Sequence, residues 1–306
     1  MRNKTNLYNI KTLKELYSRN INLSEHLKSE LGIDYNNEDI IELMYEIQSG
    51  SYINFTENNM VSSKFYSMQL SNILGKYINK NTSFLDIGTG EMTNLTLVLN
   101  DLKIKPKITF AFDISWSRIY CGNFFVEKHL KNFNSKLVPF VADIFEIPLQ
   151  DNSIDLITSS HALEPNGGNL EELLCELFRV VKKKLILFEP YYEKNSVEGK
   201  QRMDSLGYIK GLENVVKELG GSVEDVIKID KPFNDLNPTY CFVILPPPDN
   251  SKVKDVVNFS VPGTNFPLKK DDSFLFSEEC GVSFPIIKNI PVLKSNSKIY
   301  TSVYYK

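Results

Sequence analysis

Apolar residues recur at helical spacing through the first part of the chain. Two stripes repeat at intervals of three and four residues, Leu13, Leu16 and Tyr17 in one and Ile40, Ile41, Met44 and Ile47 in the other. Ser24 is expected to cap a helix between them, because its hydroxyl can accept a free backbone N–H. After Ser49-Gly50-Ser51, a further helix is predicted over residues 63–77. Residues 1–80 are therefore expected to form an N-terminal helical cap.

From Ser83 onward, short apolar runs alternate with helical segments. The candidate strands cover residues 84–87, 108–112, 137–141, 154–158, 184–188, 223–229 and 240–245. Repeated strand–helix units predict a parallel sheet with helices on both faces. Only a short connection separates the last two strands, so these are expected to form an antiparallel hairpin. The prediction for residues 81–247 is an α/β fold, a Rossmann-like, seven-stranded, doubly wound sheet.

The chain changes character after Pro246-Pro247-Pro248. A run of prolines cannot continue a sheet and acts as a stiff spacer. Apolar residues between positions 274 and 293 then predict short strands. Residues 248–306 are expected to form a small β-rich C-terminal appendage.

Composition indicates the class of partner and the cellular compartment rather than the reaction. The chain has 306 residues and a net charge of −3, which lowers the expectation of a nucleic-acid partner. No apolar run has the length of a membrane span, so no membrane partner is expected. The four cysteines form no C-x-x-C pair, and the N-terminus has no apolar signal region. A cytoplasmic protein with neither a disulfide framework nor a metal site is expected.

A glycine loop follows the first predicted strand, in the sequence Asp86-Ile87-Gly88-Thr89-Gly90. Glycines allow a sharp turn and let a ligand lie against bare main chain, and the helix that follows offers free N–H groups. A dinucleotide site has a third glycine where Thr93 stands. Asp86 would repel a pyrophosphate but suits the ammonium of a methionine-like group. A nicotinamide cofactor is therefore disfavoured but stays an alternative.

Acidic residues end the next two strands. Asp113 can accept hydrogen bonds from both ribose hydroxyls of an adenosine, a device that nicotinamide enzymes share. Asp143 opens the pattern A-D-x-x-x-I-P-x-x-D-x-S-I-D. With the glycine loop, this order of motifs resembles the class I methyltransferases that depend on S-adenosyl-L-methionine (SAM), over residues 83–190. The resemblance implies SAM as cofactor and a cofactor-binding set of Asp86, Gly88, Thr89, Gly90, Asp113, Ile114, Asp143, Ile144 and Ser160. In the family, the acid at Asp143 meets the adenine amino group, and the backbone at Ile144 reads the ring.

The segment from His161 to Gly168 reads His-Ala-Leu-Glu-Pro-Asn-Gly-Gly and follows the fourth strand. It resembles a narrower bacterial subfamily associated with surface or flagellin glycan modification, and in the wider family this position faces the sulfonium methyl. His161 could accept the proton of a nucleophile near neutral pH, and Glu164 could orient His161 or bind a substrate ammonium. Both residues could equally be structural residues of a turn.

Further candidates follow the fifth strand and precede the last one. Glu189 is expected to act with His161 and Glu164, and Tyr191 and Tyr192 to form a substrate wall, although packing in the core and at its rim is an equal alternative. Arg202 is a natural partner for an anionic substrate group such as phosphate. Asn237 is expected to face the substrate.

The tail from Phe276 to Leu293 resembles the end of a small zinc-ribbon-like domain that is found fused to, or partnered with, methyltransferases. Only Cys280 stands where that domain has paired cysteines, so zinc is not expected. The tail is expected to be structural or to form a homodimer.

The leading hypothesis is methyl transfer from SAM to an amine or hydroxyl of a small-molecule or glycan-linked acceptor. N-methylation is slightly favoured, because Asp, Glu and Tyr dominate the predicted cleft edges. Two alternatives keep the cofactor site, namely an aminopropyltransferase that uses decarboxylated SAM and a SAM-binding scaffold without catalysis.

Overall fold

The computed structural model describes residues 9–33, 38–248 and 257–303. Its helices are α1 (Ile10–Ser18), α2 (Leu23–Leu31), α3 (Glu38–Ile47), α4 (Ser51–Asn58), α5 (Met60–Leu74), α6 (Thr93–Asp101), α7 (Trp116–His129), α8 (Leu170–Val180), α9 (Val197–Leu206) and α10 (Leu212–Glu218). Its strands are β1 (Ser83–Ile87), β2 (Ile108–Asp113), β3 (Lys136–Ala142), β4 (Ile154–Ser160), β5 (Val181–Pro190), β6 (Ser222–Lys228), β7 (Thr239–Leu245), β8 (Lys269–Lys270), β9 (Phe274–Ser277), β10 (Val282–Ile287), β11 (Ile290–Leu293) and β12 (Ile299–Tyr300).

The N-terminal part is helical, as predicted, and α1, α2 and α3 share a small core that includes Leu27 and Ile40. The cap predicted at Ser24 is wrong. Asn22 caps α2 instead, because the helix begins at Leu23 and the Asn22 side chain accepts from the N–H groups of Ser24 and Glu25. Helix α5 lies three residues earlier than predicted at both ends.

The central sheet has the order β6-β7-β5-β4-β1-β2-β3. Its strands are parallel except β7, which is antiparallel to both β5 and β6. This confirms the predicted α/β fold with a closing hairpin. Side chains alternate between the two faces, so that Leu85 and Ile87 join one buried cluster and Phe84 joins the other. Within the described residues, no helix combines the length and apolar character needed to cross a membrane.

The C-terminal strands continue the same sheet. Strand β11 pairs in parallel with β3, with Val292 opposite Val141 and Leu293 opposite Ala142. Ile290 and Val292 pack with Ile119 of α7. The tail therefore covers an edge strand that would otherwise expose unpaired backbone groups. The domain boundaries at residues 80 and 247 stay a prediction.

Candidate active site

The carboxyl ends of the parallel strands meet at one edge of the sheet. The glycine loop follows β1, Asp113 ends β2, His161 follows β4, and Glu189 lies near the end of β5. Open α/β sheets bind ligands at this edge. The residues predicted for the cofactor and for catalysis are thus brought to one edge by the strand order.

The glycine loop is pressed against its neighbours on both sides. Gly88 and Gly90 have left-handed backbones, with φ of 58° and 56°, which glycine adopts without strain. The Gly90 N–H donates to Asp113 Oδ2 at 2.9 Å. On the other side, a Cβ on Gly88 would lie 2.4 Å from the Cβ of Ala162, which follows His161. Only glycine fits at position 88.

Three buried or half-buried carboxyls surround this loop. Burial raises the pKa of Asp86 to about 7. Burial also raises the pKa of Asp113, although the Arg118 guanidinium opposes the shift. The pKa of Asp143 is raised by burial in the same way, and its Oδ1 accepts from the Phe145 N–H at 2.9 Å. A cationic ligand beside these groups would favour their ionised forms.

The helical cap is fastened to the loop by side chains that the sequence reasoning missed. Glu91, which directly follows the second glycine, accepts from the N–H groups of Gly50 and Ile53, each at 2.8 Å. Glu46 of α3 accepts from the Ser115 hydroxyl at 2.9 Å. An acid placed directly after the glycine loop was the one available signal for this contact.

Arg118 of α7 forms the centre of the contact between cap and loop. Its guanidinium lies 4.3 Å from the ring centroid of Tyr45 and 4.7 Å from that of Tyr52, both in the cap. Burial raises the pKa of Tyr45, and the charges of Asp113 and Glu164 raise it further. Arg118 Nη1 also lies 3.5 Å from the Cβ position of Gly90, so this cation contacts both Tyr45 and the glycine loop.

His161 is the centre of a polar cluster. Its φ is 58°, an uncommon conformation for a residue with a Cβ. Its Nδ1 contacts Glu164 Oε1, and its Nε2 lies 2.7 Å from Thr239 Oγ1. Burial lowers the pKa of His161, but the neighbouring Glu164 carboxylate more than offsets this, so that the pKa is raised overall. Asn237 donates from Nδ2 to Glu164 Oε2 at 3.1 Å.

Glu189 supports the loop that carries His161. It is fully buried, and its Oε1 accepts from the Ser159 hydroxyl at 2.7 Å and from the N–H groups of Ala162 and Leu163 at 3.1 and 3.2 Å. Burial raises its pKa to about 7. Ser160, predicted for the cofactor, contacts the Tyr66 hydroxyl at 3.2 Å. Asp86, Thr158 and Ser160 also line a small cavity, together with apolar residues that include Leu70 and Phe188.

Other predicted residues have different surroundings. The Tyr191 hydroxyl donates to Glu213, and its ring packs on Tyr240 and Phe242 at 5.3 and 5.1 Å. The Tyr192 hydroxyl donates to Asp204 at 3.2 Å. These contacts place the two tyrosines in the core and at its rim, and their role as a substrate wall stays a prediction.

Arg202, Ile114 and Ile144 complete the set of predicted residues. The Arg202 guanidinium lies 5.5 Å from the Tyr208 ring centroid. Ile114 and Ile144 are half-buried and follow the acids of β2 and β3. Ile144 also packs against the buried cluster on one face of the sheet. The sequence did not single out Tyr66, Thr239 or Tyr208, which contact Ser160, His161 and Arg202 respectively.

The family model that matches this chain is described as a methyltransferase domain, and it matches residues 85–188. This range runs from β1 to β5 and contains the glycine loop, Asp113, Asp143, His161 and Glu164. Residues 85–188 therefore form a methyltransferase domain. Its cofactor is SAM. No curated protein matches the chain in sequence.

Solved structures similar to the chain include several methyltransferases. One is a complex of the Haloferax volcanii Trm112 methyltransferase activator with a candidate methyltransferase, at 17% identity and a TM-score of 0.49, covering 64% of this chain and 94% of that chain. Another is a SAM-dependent methyltransferase from Aquifex aeolicus, at 18% identity and a TM-score of 0.44, covering 60% and 91%. A third is the magnesium protoporphyrin IX methyltransferase of Synechocystis with bound S-adenosylhomocysteine (SAH), at 10% identity and a TM-score of 0.46, covering 78% and 99%.

The residues of the methyltransferase domain fit SAM chemically. The two left-handed glycines leave bare main chain at the loop. The Asp86 carboxyl, whose pKa is about 7, would be ionised more fully beside a cation. Bound SAM supplies an activated methyl on a positively charged sulfur. The acids and glycines at this edge suit such a cation better than a pyrophosphate.

Proposed function

We propose that this chain transfers the methyl group of SAM to an amine or hydroxyl of a small-molecule or glycan-linked acceptor. The observation that carries the proposal is the pairing of His161 and Glu164 beside the glycine loop. The loop that bears them approaches so closely that Gly88 has no room for a side chain beside Ala162. A base is therefore available next to the place where the cofactor would lie.

The tautomer of His161 follows from its partners. A carboxylate can only accept, so Nδ1 carries the proton shared with Glu164 and Nε2 is the basic nitrogen. Nε2 then accepts from the Thr239 hydroxyl at 2.7 Å. We propose that the acceptor displaces the Thr239 hydroxyl from Nε2, that Nε2 then takes the proton of the acceptor, and that Glu164 stabilises the imidazolium formed. Asn237 keeps Glu164 in position through its 3.1 Å hydrogen bond.

For the cofactor, we propose that Asp113 accepts the ribose hydroxyls and that Asp143 and Ile144 read the adenine. Ile114 would pack beside the adenosine, and Asp86, Thr89 and Ser160 would line the side nearer the methionine group. Each of these residues lies at or just after the end of β1, β2, β3 or β4. This placement at one edge of the sheet supports the proposal.

An amine is favoured over a hydroxyl as acceptor, because two buried carboxyls, Glu164 and Glu189, lie beside His161. Carboxyls stabilise an ammonium by charge and by hydrogen bonding. A role in surface or flagellin glycan modification, a cytoplasmic location and dimerisation through the tail belong to the same proposal. Light scattering of the full chain tests the dimer, with a monomer mass contradicting it.

The test of the base is His161→Ala, with methyl transfer from isotope-labelled SAM measured on a panel of amino sugars and amino acids. The expected result is a loss of about 10²–10⁴-fold in turnover, as for removal of a general base, with SAM affinity unchanged. The matched control is His26→Ala, because His26 lies on α2 and forms an ion pair with Glu30 of the same helix. Unchanged turnover in His161→Ala would contradict the base. Aminopropyl transfer from decarboxylated SAM, without methyl transfer, would establish the alternative enzyme.

A further inference from the structure

Three buried polar atoms of the acceptor side have no hydrogen-bond partner. They are Glu189 Oε2, Asn237 Oδ1 and Arg202 Nη1. Glu189 is fully buried and Asn237 is only 7% exposed, so water does not reach either group freely. A buried polar group without a partner costs folding free energy, and native proteins keep few of them. Their occurrence on one side of the site indicates groups that a ligand would pair.

The three atoms belong to residues that surround His161. Glu189 accepts from Ala162 and Leu163, the two residues after His161. Asn237 Nδ2 lies 3.5 Å from His161 Nδ1. Arg202 lies over the Tyr208 ring at 5.5 Å, and the next residue along the chain, Ile209, donates its N–H to the Glu164 carbonyl at 3.1 Å. All three therefore lie around the proposed base.

The chemistry of the unpaired atoms is complementary. Glu189 Oε2 and Asn237 Oδ1 offer lone pairs, which an ammonium or amine N–H would satisfy. Arg202 Nη1 offers an N–H from a permanent cation, which an anionic oxygen satisfies best. Among the described residues, no carboxylate oxygen lies within ion-pair distance of the Arg202 guanidinium, whose aromatic neighbour is Tyr208. The positive charge of Arg202 is thus not neutralised by a direct partner within the described part of the chain.

We propose that the acceptor is a small zwitterion, an amine that also carries a carboxylate. Glu189 and Asn237 would hold the amine beside His161, and Arg202 would bind the anionic group. This proposal rests on the proposed function, because it names the acceptor class of the same site. It excludes simple amines and neutral amino alcohols as good acceptors.

The experiment is calorimetric titration of SAH-loaded protein with matched pairs of amines. Each pair joins an ω-amino acid of two to four carbons with the amino alcohol of the same length, so that only the anionic group differs. In at least one pair, the amino acid is expected to bind about tenfold to a hundredfold more tightly, the range for a hydrogen bond to a charged group. Equal affinities within every pair, or no saturable binding of any amino acid, would overturn the proposal.

The matched variants are Arg202→Gln and Lys200→Gln, both on α9. Arg202→Gln is expected to remove the preference for the amino acid while SAH affinity stays unchanged, which shows that the variant folds. Lys200 lies over the Tyr192 ring at 5.6 Å, and Lys200→Gln is expected to keep the preference. A preference that survives in Arg202→Gln would assign the anion to another residue and overturn the proposal.

Methyl transfer is then measured on the same compounds to separate the two proposals. Arg202-dependent binding without any methyl transfer from SAM would leave the zwitterion site standing and contradict the proposed function. Equal methylation of amino acids and amino alcohols would support the proposed function and contradict the zwitterion site.

Discussion

Two buried polar clusters of this protein use the same residue types in different ways. Near the start of β4 and β5, Arg179 donates all five of its N–H bonds, to Glu176, Asp151 and the carbonyls of Ile147 and Leu149, at 2.7 to 2.9 Å. At the opposite edge of the sheet, the His161 cluster includes Arg202, Asn237 and Glu189, each with one unpaired atom.

The difference distinguishes a structural network from a site. Both clusters bury charge, which is stabilising only when every group has a partner. The Arg179 network meets that requirement from the chain alone. The His161 cluster does not, and it also holds a histidine at a left-handed φ of 58°. The His161 cluster thus combines a left-handed backbone with unpaired polar atoms, a combination found in many functional sites.

The largest expected effect is a loss of turnover when Glu164 in the His161 cluster is changed. Glu164→Gln removes the charge that raises the pKa of His161, so turnover should fall by about 10²-fold or more. The acidic limb of the kcat/KM profile should move to lower pH, because a less basic imidazole deprotonates earlier. Glu171→Gln, at an exposed acid on α8, is the control for both readouts. An unshifted profile in Glu164→Gln would contradict the pairing.

Arg179→Met tests the structural side. It leaves Glu176 buried without its cation, so the free energy of unfolding should fall by about 3 kcal/mol, the order found when one partner of a buried pair is removed. SAM affinity should stay within about twofold, since the network lies away from the cofactor loop. Urea unfolding and calorimetry measure the two quantities. A large loss of SAM affinity in a folded variant would contradict a purely structural role for the Arg179 network.

Gly88→Ala tests the contact that joins the cofactor loop to the His161 loop. The new Cβ would meet Ala162 at 2.4 Å on a backbone with φ of 58°, so the loops must separate. SAM affinity is expected to fall by about tenfold, corresponding to roughly 1–3 kcal/mol of strain. Gly168→Ala is the matched control, because no atom lies within 4 Å of its Cβ position. Equal SAM affinities in the two variants would contradict this contact.

The last prediction concerns how the free energy of unfolding depends on pH. Asp86 and Glu189 have pKa values of about 7 in the folded protein, raised by burial from ordinary values of 3.8 and 4.5. The folded state therefore binds more protons than the unfolded state between about pH 4 and 7, and stability should fall as pH rises through that window. Asp86→Asn and Glu189→Gln should each flatten the decline, as measured by urea unfolding at pH 5 and pH 8. If the free energy of unfolding does not fall between pH 5 and pH 8 in the wild type, or falls equally in both variants, these pKa values are contradicted.

The features that could be predicted from the sequence were mostly those set by residues close together in the chain. The glycine loop, the acids at the strand ends and the β6–β7 hairpin each depend on short stretches whose spacing has one physical explanation. The cap at Ser24 failed because Asn22, a competing capping residue, stands two positions earlier.

The rest depends on contacts between distant parts of the chain. Thr239 lies 78 positions from His161, Tyr66 lies 94 from Ser160, and β11 pairs with β3 across half the chain. No local pattern encodes such pairings, since they follow from how the sheet is assembled. For the same reason, the contact of Arg118 with two cap tyrosines could not be read from its surroundings in sequence.

The most direct test of the account is titration calorimetry of the full chain with SAM, decarboxylated SAM and NAD. The account predicts saturable binding of SAM, weaker binding of decarboxylated SAM and no binding of NAD. Binding of NAD without binding of SAM would contradict it.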